Sequence, residues 1–150
     1  MVGITEDQLS HRIKQLSVFL PNRLGALLSL NRTLDAASIK ILAVSILDAS
    51  DYSVVRLVLD QPTLAKEILT TEGHSVIETD LLGVVLPKGE GIRNVLTAVI
   101  MAEVNVLYLY SLMVTSNGRP VLALHTEEPA AAAAVLLEKG IGLLNQDDFE

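Results

Sequence analysis

The sequence predicts an α+β protein made of two β-α-β-β-α-β units in tandem, each an antiparallel sheet with two helices on one face. Three observations carry this. Sliding the chain by 65 residues lays Leu16–Leu47 over Leu81–Leu112, so the chain repeats itself. Within each copy, apolar runs of strand length alternate with stripes of helical period. Proline and glycine stand at matching places, Pro62 over Pro129 and Gly73 over Gly140, once the offset becomes 67.

The first strands are Gln15–Leu20 and Asp80–Leu86. Each runs into a loop with proline and glycine, Pro21-Asn22-Arg23-Leu24-Gly25 and Pro87-Lys88-Gly89-Glu90-Gly91. The next stripes, Leu27, Leu30, Leu34, Ala37 and Ile92, Val95, Val99, Ala102, share the i, i+3, i+7, i+10 spacing of one helix face. β-rich runs follow, Ile39–Leu47 and Val104–Leu112, then polar turns at 49–52 and 116–119. The second turn holds Asn117-Gly118, a strong hairpin signal. The change of offset predicts a second hairpin two residues longer. The third strands are Ser53–Leu59 and Val121–Thr126. Pro62 and Pro129 suit a first helical turn, and Gly73 and Gly140 suit the position just past a last one. Asp60 and Glu127 lie upstream, where negative charge favours a helix N-terminus. Ser75–Thr79 and Gly142–Asn145 close the copies. The order is the split βαβ, or ferredoxin-like, arrangement. The predicted organisation is an N-terminal tail over 1–14 and units over 15–79 and 80–150. No Gly-, Ser- or Pro-rich linker separates Thr79 from Asp80, so rigidly joined units are expected.

Of the 150 residues, 50% are hydrophobic and mean hydropathy is +0.45, enough core material for this fold. Eleven Lys and Arg face 18 Asp and Glu, a net charge of −7. That balance disfavours nucleic acid and polybasic membrane contacts. The chain has no Cys, which excludes disulfides, thiolate metal sites and cysteine nucleophiles. The charge-free stretch Val104–Gly118 is too short and too polar to span a bilayer, and residues 1–15 lack a signal peptide's apolar segment. A cytoplasmic protein is expected.

No catalytic constellation is legible. His11, His74 and His125 have no metal-ligand spacing, no serine lies in a GxSxG context, and Lys88-Gly89-Glu90-Gly91 is not a phosphate-binding loop. No catalytic residue, metal or cofactor is expected. The strand–helix loop is the place suited to a ligand. A helix N-terminus leaves backbone N–H groups unpaired and favours carboxylates, and Gly25 lets a ligand approach the backbone. The strands predict a further property. Ile41-Leu42-Ala43-Val44 and Val84-Val85-Leu86 are continuous apolar runs, whereas a sheet with one wet face alternates. The face away from the helices is therefore expected to be covered, most simply in a homodimer.

The stretch Phe19–Leu27, the helix after it and Ser38-Ile39-Lys40-Ile41 resemble the signature of the ACT domain: a strand, N-R-P-G-x-L, a helix, then G-x-N-I. The second copy is similar over Val85–Ile92 and Glu103–Val106, and the resemblance covers nearly all of Gln15–Gln146. It implies association through sheets and binding of a small effector, typically an amino acid, at an interface between ACT units. Carried over, the binding residues are Asn22, Arg23, Leu24, Gly25, Ala26 and Leu27, with Ile39 and Ile41. In the second copy they are Lys88, Gly89, Glu90, Gly91 and Ile92, with Asn105 and Val106. Leu24 stands where the family often has proline, and Lys40 replaces its asparagine. Glu90 aligns with Gly25 and is expected to repel a carboxylate, leaving the first copy the better binder. The implied role is a non-catalytic regulatory or sensor module. The alternative is a regulatory subunit that docks on an amino-acid biosynthetic enzyme.

Overall fold

A computed structural model describes residues 11–89 and 91–149. Most of the predicted tail therefore lies outside the described residues. The elements are β1 (Ile13–Pro21), α1 (Ala26–Ala36), β2 (Ile41–Ala49), β3 (Tyr52–Leu59), α2 (Pro62–Thr71), β4 (Val76–Val85), α3 (Arg93–Met101), β5 (Val106–Ser116), β6 (Arg119–Thr126), α4 (Pro129–Glu138), β7 (Leu143–Leu144) and a 3₁₀ helix (Gln146–Phe149). Chain contacts define two units, Lys14–Thr79 and Asp80–Phe149, with Ile13 grouped in the second. β1 thus takes in Ile13 and Lys14. The strands expected at Ser75–Thr79 and Asp80–Leu86 are one strand, β4, with Thr79 and Asp80 lying within its length rather than forming a turn.

In the first unit the strand order is β2–β3–β1–β4, and in the second it is β5–β6–β4–β7. Both are the ferredoxin-like order. β1, β3 and β2 pair antiparallel, with Val18 opposite Val55 and Val44 opposite Leu57. The helices pack on one face. Leu16, Val18, Leu20, Val55, Leu57 and Leu59 of the sheet meet Leu30, Leu34, Ala65 and Leu69 of α1 and α2. The second core repeats this, with Leu82, Val84, Leu122 and Leu124 against Val95, Val99, Ala132 and Leu136.

The helix ends follow local chemistry. Pro62 and Pro129 occupy first helical turns, where the missing N–H is no loss. Gly73 and Gly140 take positive φ, and the six-to-one and five-to-two amide bonds of a Schellman cap form after both α2 and α4. α1 and α3 end in the same cap, but the left-handed residue there is Ser38 (φ 58°) or Glu103 (φ 57°).

The second hairpin is two residues longer, as the change of offset predicts, and the sequence leaves three details open. The two extra residues of the second hairpin do not lengthen its turn, since Ala49 pairs with Tyr52 and Ser116 with Arg119. They sit in a β5 irregularity between Ser111 and Thr115. Asp60 does not cap α2. Its Oδ1 accepts the Lys40 amide at 2.8 Å, and Gln61 and Glu128 are the N-caps of α2 and α4. Finally, the exposed aliphatic surface is not confined to the face away from the helices, where Gln15, Ala43 and Val58 are buried. Val44 and Ile46 pair with the core residues Leu57 and Val55, so they share the helix side of the sheet, yet both are exposed.

Candidate functional site: a groove beside the first strand–helix loop

The loop between β1 and α1 is tied down by its own backbone. The Arg23 amide donates to the Pro21 carbonyl at 2.9 Å, and the Ala26 amide to Arg23 at 3.3 Å. Asn22 Nδ2 reaches the Ser50 carbonyl at 3.5 Å, linking loop to hairpin. Gly25 is the N-cap with φ 86° and makes no side-chain cap bond. A Cβ on Gly25 would meet nothing within 4 Å, so glycine is there for its backbone angle, not for space. Its carbonyl accepts the Ser29 amide at 2.9 Å. The amides of Leu27 and Leu28 lie in the first turn, where an α-helix supplies no acceptor of its own.

Beside this loop opens a groove of about 820 Å³. The loop contributes Arg23, Leu24 and Gly25. Helix α1 contributes Leu27, Leu28, Leu30 and Asn31. The sheet contributes Ile41, Val44 and Leu57. The groove exists because β2 is the edge strand of its unit and α1 leaves the helix side of Val44 uncovered. Arg23 is the one cation of this lining, and no acid is among it.

Five of the expected residues thus meet at one place: Arg23, Leu24, Gly25, Leu27 and Ile41. Leu27, at the start of the α1 stripe, is exposed, because the stripe leaves the sheet at its N-terminal end. Ala26 packs partly against the core. Ile39 lies elsewhere. It precedes β2 and is 2% exposed, beneath α1 and α2, because the Schellman turn bonds its amide to Leu34 and drives the side chain inward. Leu28, Leu30, Asn31, Val44 and Leu57 line the groove without having been expected to. The strand pair Val44–Leu57 and the off-stripe Leu28 were the available signals.

The second copy is built differently. Its left-handed loop glycine is Gly89, φ 73°, not the position aligned with Gly25. That aligned residue, Glu90, lies outside the described residues. Helix α3 begins later, with Ile92 as N-cap in right-handed helical conformation and a first-turn bond from the Leu96 amide to Ile92 at 3.0 Å. Lys88, Gly89, Gly91, Ile92 and Asn105 are exposed, the Asn105 carbonyl accepts the Glu127 amide, and Val106 packs on the core. A cavity of about 330 Å³ in this unit is lined instead by Pro87, Asn94, Thr97, Met101 and the end of α4. Among the described residues no cluster of His, Asp or Glu suits a metal ion, and no helix is long and apolar enough to cross a membrane.

Two ferredoxin-like units in tandem, each with a glycine-bearing strand–helix loop, are the architecture of paired ACT domains, and residues 11–150 match the family described as an ACT domain pair. The chain belongs to that family. It is similar to protein BT0572 from Bacteroides thetaiotaomicron, with 27% identity and a TM-score of 0.84 over 93% of this chain and 96% of that one. It shares its fold with the ligand-free regulatory subunit of aspartate kinase from Thermus thermophilus, at 16% identity and TM-score 0.57 over 91% and 97% of the two chains. The regulatory subunit of aspartate kinase from Thermus flavus is comparable, at 15% identity and TM-score 0.54 over 85% and 92%. No curated protein matches the chain.

Proposed function

We propose that this chain is a non-catalytic cytoplasmic regulatory module that binds a free amino acid in the groove beside Gly25 and works as a homo-oligomer. The groove itself carries the reading. It joins Arg23 and the open amides of Leu27 and Leu28 to an aliphatic lining, the two chemistries needed for a carboxylate and a side chain. Membership of the ACT domain pair family supports a ligand-binding regulatory role. The second loop is the weaker candidate, because its glycine is three residues from the helix cap rather than being the cap. Arg23 steers the anionic end toward the helix, so Arg23→Gln weakens binding more at low salt than at high salt.

A thermal-shift screen with the twenty amino acids at millimolar concentration tests this. A ligand at 100 times its Kd adds about 2.7 kcal/mol, a rise of several degrees for a chain of this size. If none raises the melting temperature, the amino-acid reading falls. The exposed Leu24 and Ile46 would then fit the alternative, docking on a partner enzyme.

A further inference from the structure

The groove differs from its counterpart in the second copy in a way that defines its ligand. We infer that the first copy selects an amino acid with a large, uncharged aliphatic side chain, of the leucine, isoleucine or valine class. This rests on the amino-acid reading above and adds the specificity.

The lining, not the helix terminus, sets the specificity. Leu24, Leu27, Leu28, Ile41, Val44 and Leu57 present aliphatic surface from a loop, a helix and two strands. Leu24 is fully exposed and Leu28 half exposed. Aliphatic side chains left in water around a concave surface mark a binding site. The charges are equally selective. No acid is in the lining, and Asp35, which lies outside it, already accepts from Asn31, so a ligand's lysine or arginine head would find no carboxylate inside the groove. An aspartate or glutamate side chain would add a second anion where Arg23 offers one cation, with the rest of the lining unable to solvate it. A zwitterion with an apolar side chain is what remains. Arg23 faces its carboxylate. Asn31 Nδ2 donates to Asp35 at 3.4 Å, which leaves Oδ1 as the acceptor for the ligand's ammonium. The repeat changes part of this lining in the second copy: at the offset of 65, Leu24 becomes Gly89, Leu28 becomes Arg93 and Asn31 becomes Leu96, while Leu27, Ile41 and Val44 keep apolar counterparts in Ile92, Val106 and Leu109.

The test is calorimetric titration of the full chain with L-leucine, L-isoleucine, L-valine, L-alanine, L-serine, L-aspartate and L-lysine, repeated on Leu28→Arg and Val44→Ser. Leu28 and Val44 are exposed, so both variants keep the fold, and a thermal melt checks it. Leucine or isoleucine should bind tightest, with affinity falling about fourfold for each methylene removed, so that alanine, three carbons shorter, is weaker by roughly 60-fold. Aspartate and lysine should be weaker still. Leu28→Arg, which copies the second unit, should weaken leucine binding by about tenfold or more, and Val44→Ser should weaken it too. Tighter binding of a polar or charged amino acid overturns the specificity and leaves the regulatory reading standing. Leucine binding unchanged in both variants overturns this groove as the site. Binding of no amino acid at all overturns the reading beneath it.

Discussion

Cγ2 of Ile13 lies 3.1 Å from the point where a Cβ on Gly83 would stand, and Cβ of Leu144 lies 3.5 Å from the same point. Gly83 is therefore a close-approach residue, where β1 begins and β7 pairs. Ile13 is fully buried and has little room to retreat. Gly83→Ala should destabilise the protein by about 1–3 kcal/mol, the usual cost of overpacking. Gly25→Ala meets no atom and should cost about 1–2 kcal/mol through its left-handed backbone. Urea midpoints measure both. A neutral Gly83→Ala would show that Ile13 yields.

Ser38 and Glu103 hold left-handed caps that glycine fills after α2 and α4. A side chain there is strained against the following carbonyl, though glycine loses more entropy on folding. Ser38→Gly and Glu103→Gly should each stabilise by about 0.5–1 kcal/mol, seen as a higher denaturation midpoint. A loss would mean that the serine or glutamate side chain makes a compensating bond.

Glu78 sits between two lysines, with Lys14 Nζ at 3.0 Å and Lys66 Nζ at 3.4 Å. The hydrogen bond from Lys14 is the main reason its carboxyl titrates below the ordinary carboxylate range. A folded pKa below the unfolded one stabilises above the unfolded value, about 4.3, and that contribution is lost as pH falls through the folded value. The pair is partly solvated, so Glu78→Gln should cost no more than about 1 kcal/mol at pH 7. The difference from wild type should shrink below pH ~4 and in high salt. Melts of both proteins across pH 3–7 give the comparison. A penalty that grows on acidification would reverse the sign.

Ile46 and Leu47 are exposed in the first unit and lie outside the groove lining. Their cover is expected from a second chain, so the protein should be at least a dimer at micromolar concentration. Light scattering reports this, and a stable 16.1 kDa monomer would contradict it.

Local chemistry was the legible part of the fold. Pro62 and Pro129 can only open helices here, Gly73 and Gly140 close them, and Asn117-Gly118 takes the positive φ pair that a two-residue hairpin turn demands. Depth was not legible. The stripe containing Leu27 and Ile92 shows a face but not where the helix overhangs the sheet edge, and both residues are exposed. Ile39 shows the reverse, a strand-like residue turned inward by the cap before it. Between two candidate glycines, Gly89 and Gly91, spacing had no means to choose. The groove was half legible: the loop announced itself, whereas Val44 and Leu57 join it only through strand pairing.

Amide NMR during a titration with L-leucine tests the binding site most directly, because each backbone N–H reports its own surroundings. The largest shifts should fall on Gly25, Leu27, Leu28 and Val44, with Lys88, Gly89 and Ile92 little changed. Shifts confined to the second loop, or none at saturating leucine, would contradict binding in the first groove.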